Sequence, residues 1–155
     1  MKIFSMFLVV LLSMLVTMGC TSPSISMPFG KKVKKEYFTG GKIYSEFIMD
    51  DDSGQNGILK RYGYDGHLTS TVRIKNAVKD GEEIWFDKKG RVIMKIPYVN
   101  GRKHGVQEAY YPNGDPMITT TYRNDVKNGK AIMYNKDGSI YRQTLFENDR
   151  VLNKK

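Results

Sequence analysis

Glycine recurs on a 24-residue lattice along most of this 155-residue chain, and such a period confines the fold to a stack of similar short units. One row is Gly66, Gly90, Gly114 and Gly138, and a second is Gly57, Gly81, Gly105 and Gly129. An aromatic residue stands four places before each glycine of the first row, at Tyr62, Phe86, Tyr110 and Tyr134, and Tyr37 before Gly41 opens the series. Between aromatic and glycine lie turn formers such as Asp65-Gly66, Asn113-Gly114 and Asp137-Gly138, which tolerate positive φ and close hairpins. The spacing predicts an all-β chain: an elongated antiparallel β-meander of about five hairpin repeats.

Positions two, six and eight after the glycine are mostly apolar, as in Leu68, Val72 and Ile74 or Val92, Ile96 and Tyr98. Side chains alternate across a strand, so these three positions are expected to share one face. The fifth position holds Thr71, Lys95, Thr119 and Gln143, a mixed set that suits a face open to water or to a partner. Ten places after the glycine come Asn76, Asn100, Asn124 and Asn148, marking a second, longer turn before the next strand. Only Asn100 is followed by glycine, so looser turns are expected at Ala77, Asp125 and Asp149. The first unit is out of step, since Gly41 and Gly66 are 25 apart, and a longer loop is expected at the acidic run Asp50, Asp51 and Asp52.

Ahead of the repeats, Lys2 is followed by an apolar run from Ile3 to Val16 and then by Gly19-Cys20. The run is shorter than the ~20 residues that cross a bilayer comfortably and reads as an export signal, residues 1–19, forming a helix. The segment LVTMGC resembles the lipobox of bacterial lipoproteins. That resemblance implies cleavage before Cys20, attachment of diacylglycerol to its thiol and a membrane-anchored place in the cell envelope, at the outer membrane in a Gram-negative cell. Cys20 is the only cysteine, so the mature chain forms no disulfide of its own. Residues 20–36 read as a flexible linker.

The formal net charge of +9 is concentrated at the ends. Lys31, Lys32, Lys34 and Lys35 cluster in the linker, and Lys154 and Lys155 form a basic tail, whereas residues 37–153 are nearly balanced. A mixed surface of that kind argues against nucleic acid as a partner. The linker lysines, close to the anchor, are placed to meet anionic lipid headgroups.

The aromatic, turn and glycine spacing over residues 37–150 resembles the MORN-type repeat, in the variant found in YwqK-like antitoxins. Ala109 to Gly138 carries it most fully, with Tyr110, Asn113, Gly114, Tyr122, Asn124, Gly129, Tyr134 and Gly138 on the pattern. The resemblance implies a twisted single sheet of successive hairpins and a non-enzymatic role in binding protein partners or as a membrane-associated scaffold. It also implies an alternative, an antitoxin or immunity-like protein that neutralises a toxin by direct binding.

Catalytic candidates are few, and no cofactor or metal is implied. His67 and His104 read as exposed turn residues, while Glu82 and Glu83 are adjacent on a strand and so point to opposite sides. A hydrolase acting on envelope polymer, with His67 or His104 at its centre, is the remaining enzymatic reading. The aromatic row is expected to be a cross-strand core ladder. Trp85 and Tyr111, which neighbour that row, are the candidate binding surface.

Overall fold

The computed structural model describes residues 30–152, and every regular element among them is a β-strand. In chain order these are β1 (Val33–Tyr37), β2 (Ile43–Met49), β3 (Gly57–Tyr62), β4 (Leu68–Lys75), β5 (Val78–Lys79), β6 (Gly81–Phe86) and β7 (Val92–Val99). There follow β8 (Arg102–Lys103), β9 (Gly105–Tyr110), β10 (Pro116–Arg123), β11 (Val126–Tyr134), β12 (Ile140–Glu147) and β13 (Arg150–Val151). They form one antiparallel sheet in the order β1-β2-β3-β4-β6-β7-β9-β10-β11-β12-β13, with the short β5 and β8 pairing on β4 and β7. Links this short permit only antiparallel neighbours, so the expected meander of five hairpins is what the chain forms. The expected export signal, residues 1–19, and the expected lipid attachment at Cys20 lie outside the described residues. No helix among the described residues is long and apolar enough to cross a membrane.

Each hairpin closes at one rim through a three-residue loop. In Gly63–His67 the Gly66 N–H donates to the Gly63 carbonyl at 2.8 Å and the Gly63 N–H donates to the His67 carbonyl at 2.9 Å, a type I turn followed by a left-handed residue. Gly66 has φ +87° and open space where a Cβ would stand, so conformation alone calls for glycine there. The same pair of bonds recurs at Phe38–Lys42, Asp87–Arg91, Tyr111–Asp115 and Asn135–Ser139.

The opposite rim is tighter than its sequence suggests. Asn76-Ala77, Asn100-Gly101, Asn124-Asp125 and Asn148-Asp149 all have positive φ at both residues, the signature of two-residue type I′ turns. The longer, looser turns expected at Ala77, Asp125 and Asp149 are therefore absent, and the reason is lateral. Each turn hands an N–H to the preceding repeat: Ala77 to the Gln55 carbonyl, Gly101 to Lys79, Asp125 to Lys103 and Asp149 to Lys127, at 2.8–3.0 Å. Asp125 and Asp149 reciprocate, their Oδ1 atoms accepting from the Lys103 and Lys127 N–H groups at 2.8 and 2.9 Å. An acidic side chain thus compensates part of the left-handed strain that glycine avoids.

Two further corrections concern the strands. The sheet begins at Val33 and not at Tyr37, because the last residues of the basic linker pair with β2, Glu36 opposite Ser45 and Lys35 opposite Glu46. Position two after the glycine does not share a face with positions six and eight. A β-bulge intervenes in every hairpin, so that Tyr62 pairs with Leu68 but Arg61 with Ser70, and Phe86 pairs with Val92 but Trp85 with Met94. The extra residue, Thr69 or Ile93, resets the alternation. Positions six and eight stay on what is here called the Val72 face, and position two joins the aromatic row on the Tyr62 face.

The second glycine row lies where the strands jog. Gly105 combines φ +115° with a Cβ position only 3.1 Å from Pro97 Cγ on the adjacent strand, whereas Gly57, at ordinary φ, is required by the Ile48 carbonyl 2.3 Å from its would-be Cβ. The longer loop expected in the first unit runs from Asp50 to Asn56, between β2 and β3. With a single layer of sheet, the only buried apolar side chains among the described residues are Val72 and Ile96.

The I′ geometry sets a prediction. Ala77→Gly is expected to stabilise the chain by about 1 kcal/mol by relieving a left-handed alanine. Gly101→Ala is expected to cost more, since its Cβ would also approach Val78 Cβ at 3.3 Å. Urea midpoints of the two variants decide the matter, and equal midpoints would show that the turn strain is negligible.

Candidate functional site

Pairing places Arg61, Ser70, Trp85, Met94 and Ala109 in one row across the Val72 face. The neighbouring row on that face contains Val72, Glu83 and Ile96. Glu83 is the most unusual member, a carboxylate only 1% exposed. Burial of a charge demands partners. Lys79, four residues earlier on the same face, donates from Nζ to Glu83 Oε2 at 2.7 Å, and Arg61 Nη1 stands 3.7 Å from Oε1. At 3.7 Å the guanidinium supplies Coulomb attraction without a hydrogen bond. Glu83 Oε1 and the Trp85 Nε1 are both buried without a hydrogen-bond partner. One acceptor and one donor therefore stand unused, two residues apart on the same face of the same strand.

The lysine belongs to a row. Lys79 Nζ lies 4.6 Å from the ring centre of Tyr98, Lys103 Nζ 5.2 Å from that of Tyr122, and Lys127 Nζ 5.2 Å from that of Phe146. Each ammonium sits over the aromatic of the following repeat, a contact adding about 0.5–1 kcal/mol where solvent reaches it. Burial, and then the Glu83 carboxylate, push the Tyr98 phenol up to about 12.

On the Tyr62 face the aromatic row lies among Glu46, Lys60, Lys95 and Glu108. Tyr62 donates its hydroxyl to Glu46 Oε2 at 2.7 Å; burial and that bond push the phenol up to about 12. The tyrosine hydroxyl, then Lys35, hold Glu46 below the usual carboxylate range. Tyr110 makes the same kind of bond to Glu108, and burial, then Glu108, push it up to about 12. Tyr62, Phe86, Tyr110 and Tyr134 are half-buried on this charged face, opposite Val72 and Ile96. Their row runs beside Leu68, Val92, Pro116 and Ile140, which the bulges bring onto the same side.

Trp85 faces the other way from that row, half-buried on the Val72 face. Tyr111 lies in a rim loop, where its hydroxyl donates to the Tyr134 carbonyl at 2.8 Å and ties one repeat to the next. The structure does not bring the two together. Lys88 to Asp65 at 3.0 Å and Arg91 to the Pro112 carbonyl at 3.2 Å tie the same rim.

His67 sits at the three-residue-loop rim against Asp65, and His104 lies near the I′ rim beside Asn124 at 3.2 Å. The histidines are thus at opposite edges of the sheet. Among the described residues no group of three or more His, Cys, Asp or Glu side chains is placed to hold a metal ion. Three of the four linker lysines face this chain's own carboxylates: Lys31 with Asp50, Lys32 with Asp52 and Lys35 with Glu46. Anionic headgroups would have to compete with these pairs.

The Glu83, Lys79 and Arg61 cluster was not singled out from the sequence. Its signal is the lysine row Lys79, Lys103 and Lys127, one period apart, in register with the apolar row eight places after each glycine.

Residues 79–100 and 103–124 match the family described as MORN repeat variant. The matched segments are the two central units, β5 to the Asn100 turn and β8 to the Asn124 turn. No curated protein matches the chain.

Replacing Glu83 by Gln imports the side chain found one period later, Gln107, which accepts from Lys103 Nζ at 3.5 Å. Glu83→Gln is expected to fold, to cost about 1 kcal/mol by exchanging the ion pair with Lys79 for an ammonium–amide hydrogen bond, and to lower the Tyr98 phenol toward 10 without reaching it. A tyrosine held above its unfolded value of 10.0 stabilises the fold fully below pH 10, and that contribution is lost as pH rises through about 12. Phenolate absorbance against pH in both proteins tests this, and identical titrations would remove Glu83 from the account.

Proposed function

We propose that this MORN-type repeat protein is a lipid-anchored, non-enzymatic binding or scaffold protein of the bacterial envelope. An acylated Cys20 holds it to the membrane, and its sheet is offered to a protein partner. The observation that carries the reading is the single open sheet, which among the described residues has no second layer on either face. Such a surface recognises extended area and not a small substrate in a pocket. Trp85 is the anchor residue of this reading, since a half-buried indole offers a large apolar area to a partner lying along the face. Tyr111 serves a lateral tie.

The anchor and the surface are tested separately. Cells fed a fatty-acid probe are expected to label the wild-type protein and to spare Cys20→Ala; a labelled alanine variant rules the anchor out. A photoreactive residue placed at 85 is expected to capture a partner from the envelope, and one placed at 84, on the opposite face, is not. Capture from 84 alone would reverse the face assignment. A single stoichiometric toxic protein among the captured species would turn the binding role into neutralisation of a toxin, the alternative that the antitoxin resemblance implies.

A further inference from the structure

We propose that copies of this chain associate head to tail, the β1 edge of one copy adding to the β12 edge of the next and continuing the repeat. In the interior of the array, every strand of the β12 type is covered by a strand that ends in the aromatic row. β4 is covered by β6, β7 by β9 and β10 by β11. Among the described residues β12 is covered only in part: β13 pairs Val151 with Phe146 and Arg150 with Glu147, and Leu152 adds one bond to the Leu145 carbonyl. Among the described residues the remainder of β12 is unpaired. Its rim end carries Ile140 and Tyr141, 56% and 63% exposed.

The strand that would cover it is of the type that opens the chain. β1 ends in Tyr37, the first member of the aromatic row, and its own outer edge is unpaired among the described residues. Val33 and Tyr37 are exposed there. An open edge is a template for a further strand, and here both edges belong to the same lattice. The interior pairs Ser70↔Trp85, Met94↔Ala109 and Ile118↔Met133 fix the register by translation. Carried one unit further, Arg142 falls opposite Glu36 of the next copy, Gln143 opposite Lys35 and Thr144 opposite Lys34.

That register is selected by charge. Glu36 and Arg142 meet on the Val72 face, where Arg142 has no ion pair among the described residues, and neither lysine opposes a cation. A slip of two residues in one direction would set Lys34 against Arg142, like charges directly opposite, and a slip of two in the other would set Phe38 there and leave Arg142 without a counter-ion. A slip of one would turn each strand over. The contact is heterologous, so it propagates as an open row unless its rotation closes a ring. The inference does not rest on the anchor or on any other partner.

Disulfide trapping in the full-length protein tests the register, because directly opposed strand residues lie within reach of a disulfide. The Glu36→Cys, Arg142→Cys double variant is expected to give a ladder of dimers, trimers and longer species on non-reducing gels. With Cys20 replaced by Ser in every variant, each single variant carries one thiol and stops at the dimer. The Lys35→Cys, Arg142→Cys pair, with its side chains on opposite faces, gives no ladder. A double variant that stays monomeric, that cross-links only to a different protein, or that ladders no better than the off-register pair overturns the proposal.

Charge reversal gives a second reading by sedimentation of the full-length protein in detergent. Arg142→Glu and Glu36→Arg should each abolish association, and their combination should restore it. Association unchanged in all three would likewise overturn the proposal.

Discussion

Lateral backbone hydrogen bonding is the constraint on which the rest of this protein depends. A one-layer sheet has no second layer against which to bury a face, and among the described residues only Val72 and Ile96 are buried apolar side chains. The loss of chain entropy on folding must then be met mostly by the ladder itself, by cross-strand side-chain pairs and by ties between rims. The structure supplies those ties at every repeat. I′ turn N–H groups reach back one unit at one rim, and Asp65 to Lys88, Arg91 to Pro112 and Tyr111 to Tyr134 bridge the other. Each unit interacts chiefly with its neighbours, so stability is close to a sum of local terms and is weakest at the ends.

The period of 24 follows from what one unit must contain: two strands, a three-residue loop, a two-residue turn, a bulge beside the aromatic and a jog at the second glycine. The two glycine rows and the aromatic row make the first turn, the five hairpins and the meander legible from residues alone, but not the short β5, β8 and β13. The bulge was not legible, because no residue type marks it. Thr69, Ile93, Met117 and Tyr141 occupy it with no common chemistry. One unmarked residue per hairpin sends Leu68 and Val92 to the opposite face from Val72 and Ile96. The I′ turns were misread for a related reason, since Ala77, Asp125 and Asp149 take a backbone conformation for which their neighbours in space, and not their own preferences, are responsible.

The candidate site was legible in outline only. Trp85 was placed opposite the aromatic row by alternation, and that placement needs nothing beyond strand geometry. Tyr111 was placed by the same rule, which fails because the strand ends at Tyr110 and Tyr111 already belongs to the loop. Glu82 and Glu83 were read as pointing to opposite sides. What alternation does not state is that one of them is sealed from water by Lys79, Arg61 and Tyr98, residues from three different strands.

The same alignment shows how one frame can carry different chemistry along its length. The lysine over the next repeat's aromatic is constant at Lys79, Lys103 and Lys127, but the residue four places on changes from Glu83 to Gln107 to Ala131. The first lysine is neutralised by a buried carboxylate, the second is held by an amide at 3.5 Å, and the third has no ion-pair partner among the described residues. Lys127 and Arg142 border a shallow cleft with Ile118, Ala131, Thr144 and Phe146, where Lys127 is held only by the Phe146 ring. A partner lying along the Val72 face would meet a satisfied charge at its start and an unsatisfied one at its end. The repeat fixes spacing and the variable position fixes polarity, so the Val72 face changes in chemistry along its length even though the backbone is nearly the same from unit to unit.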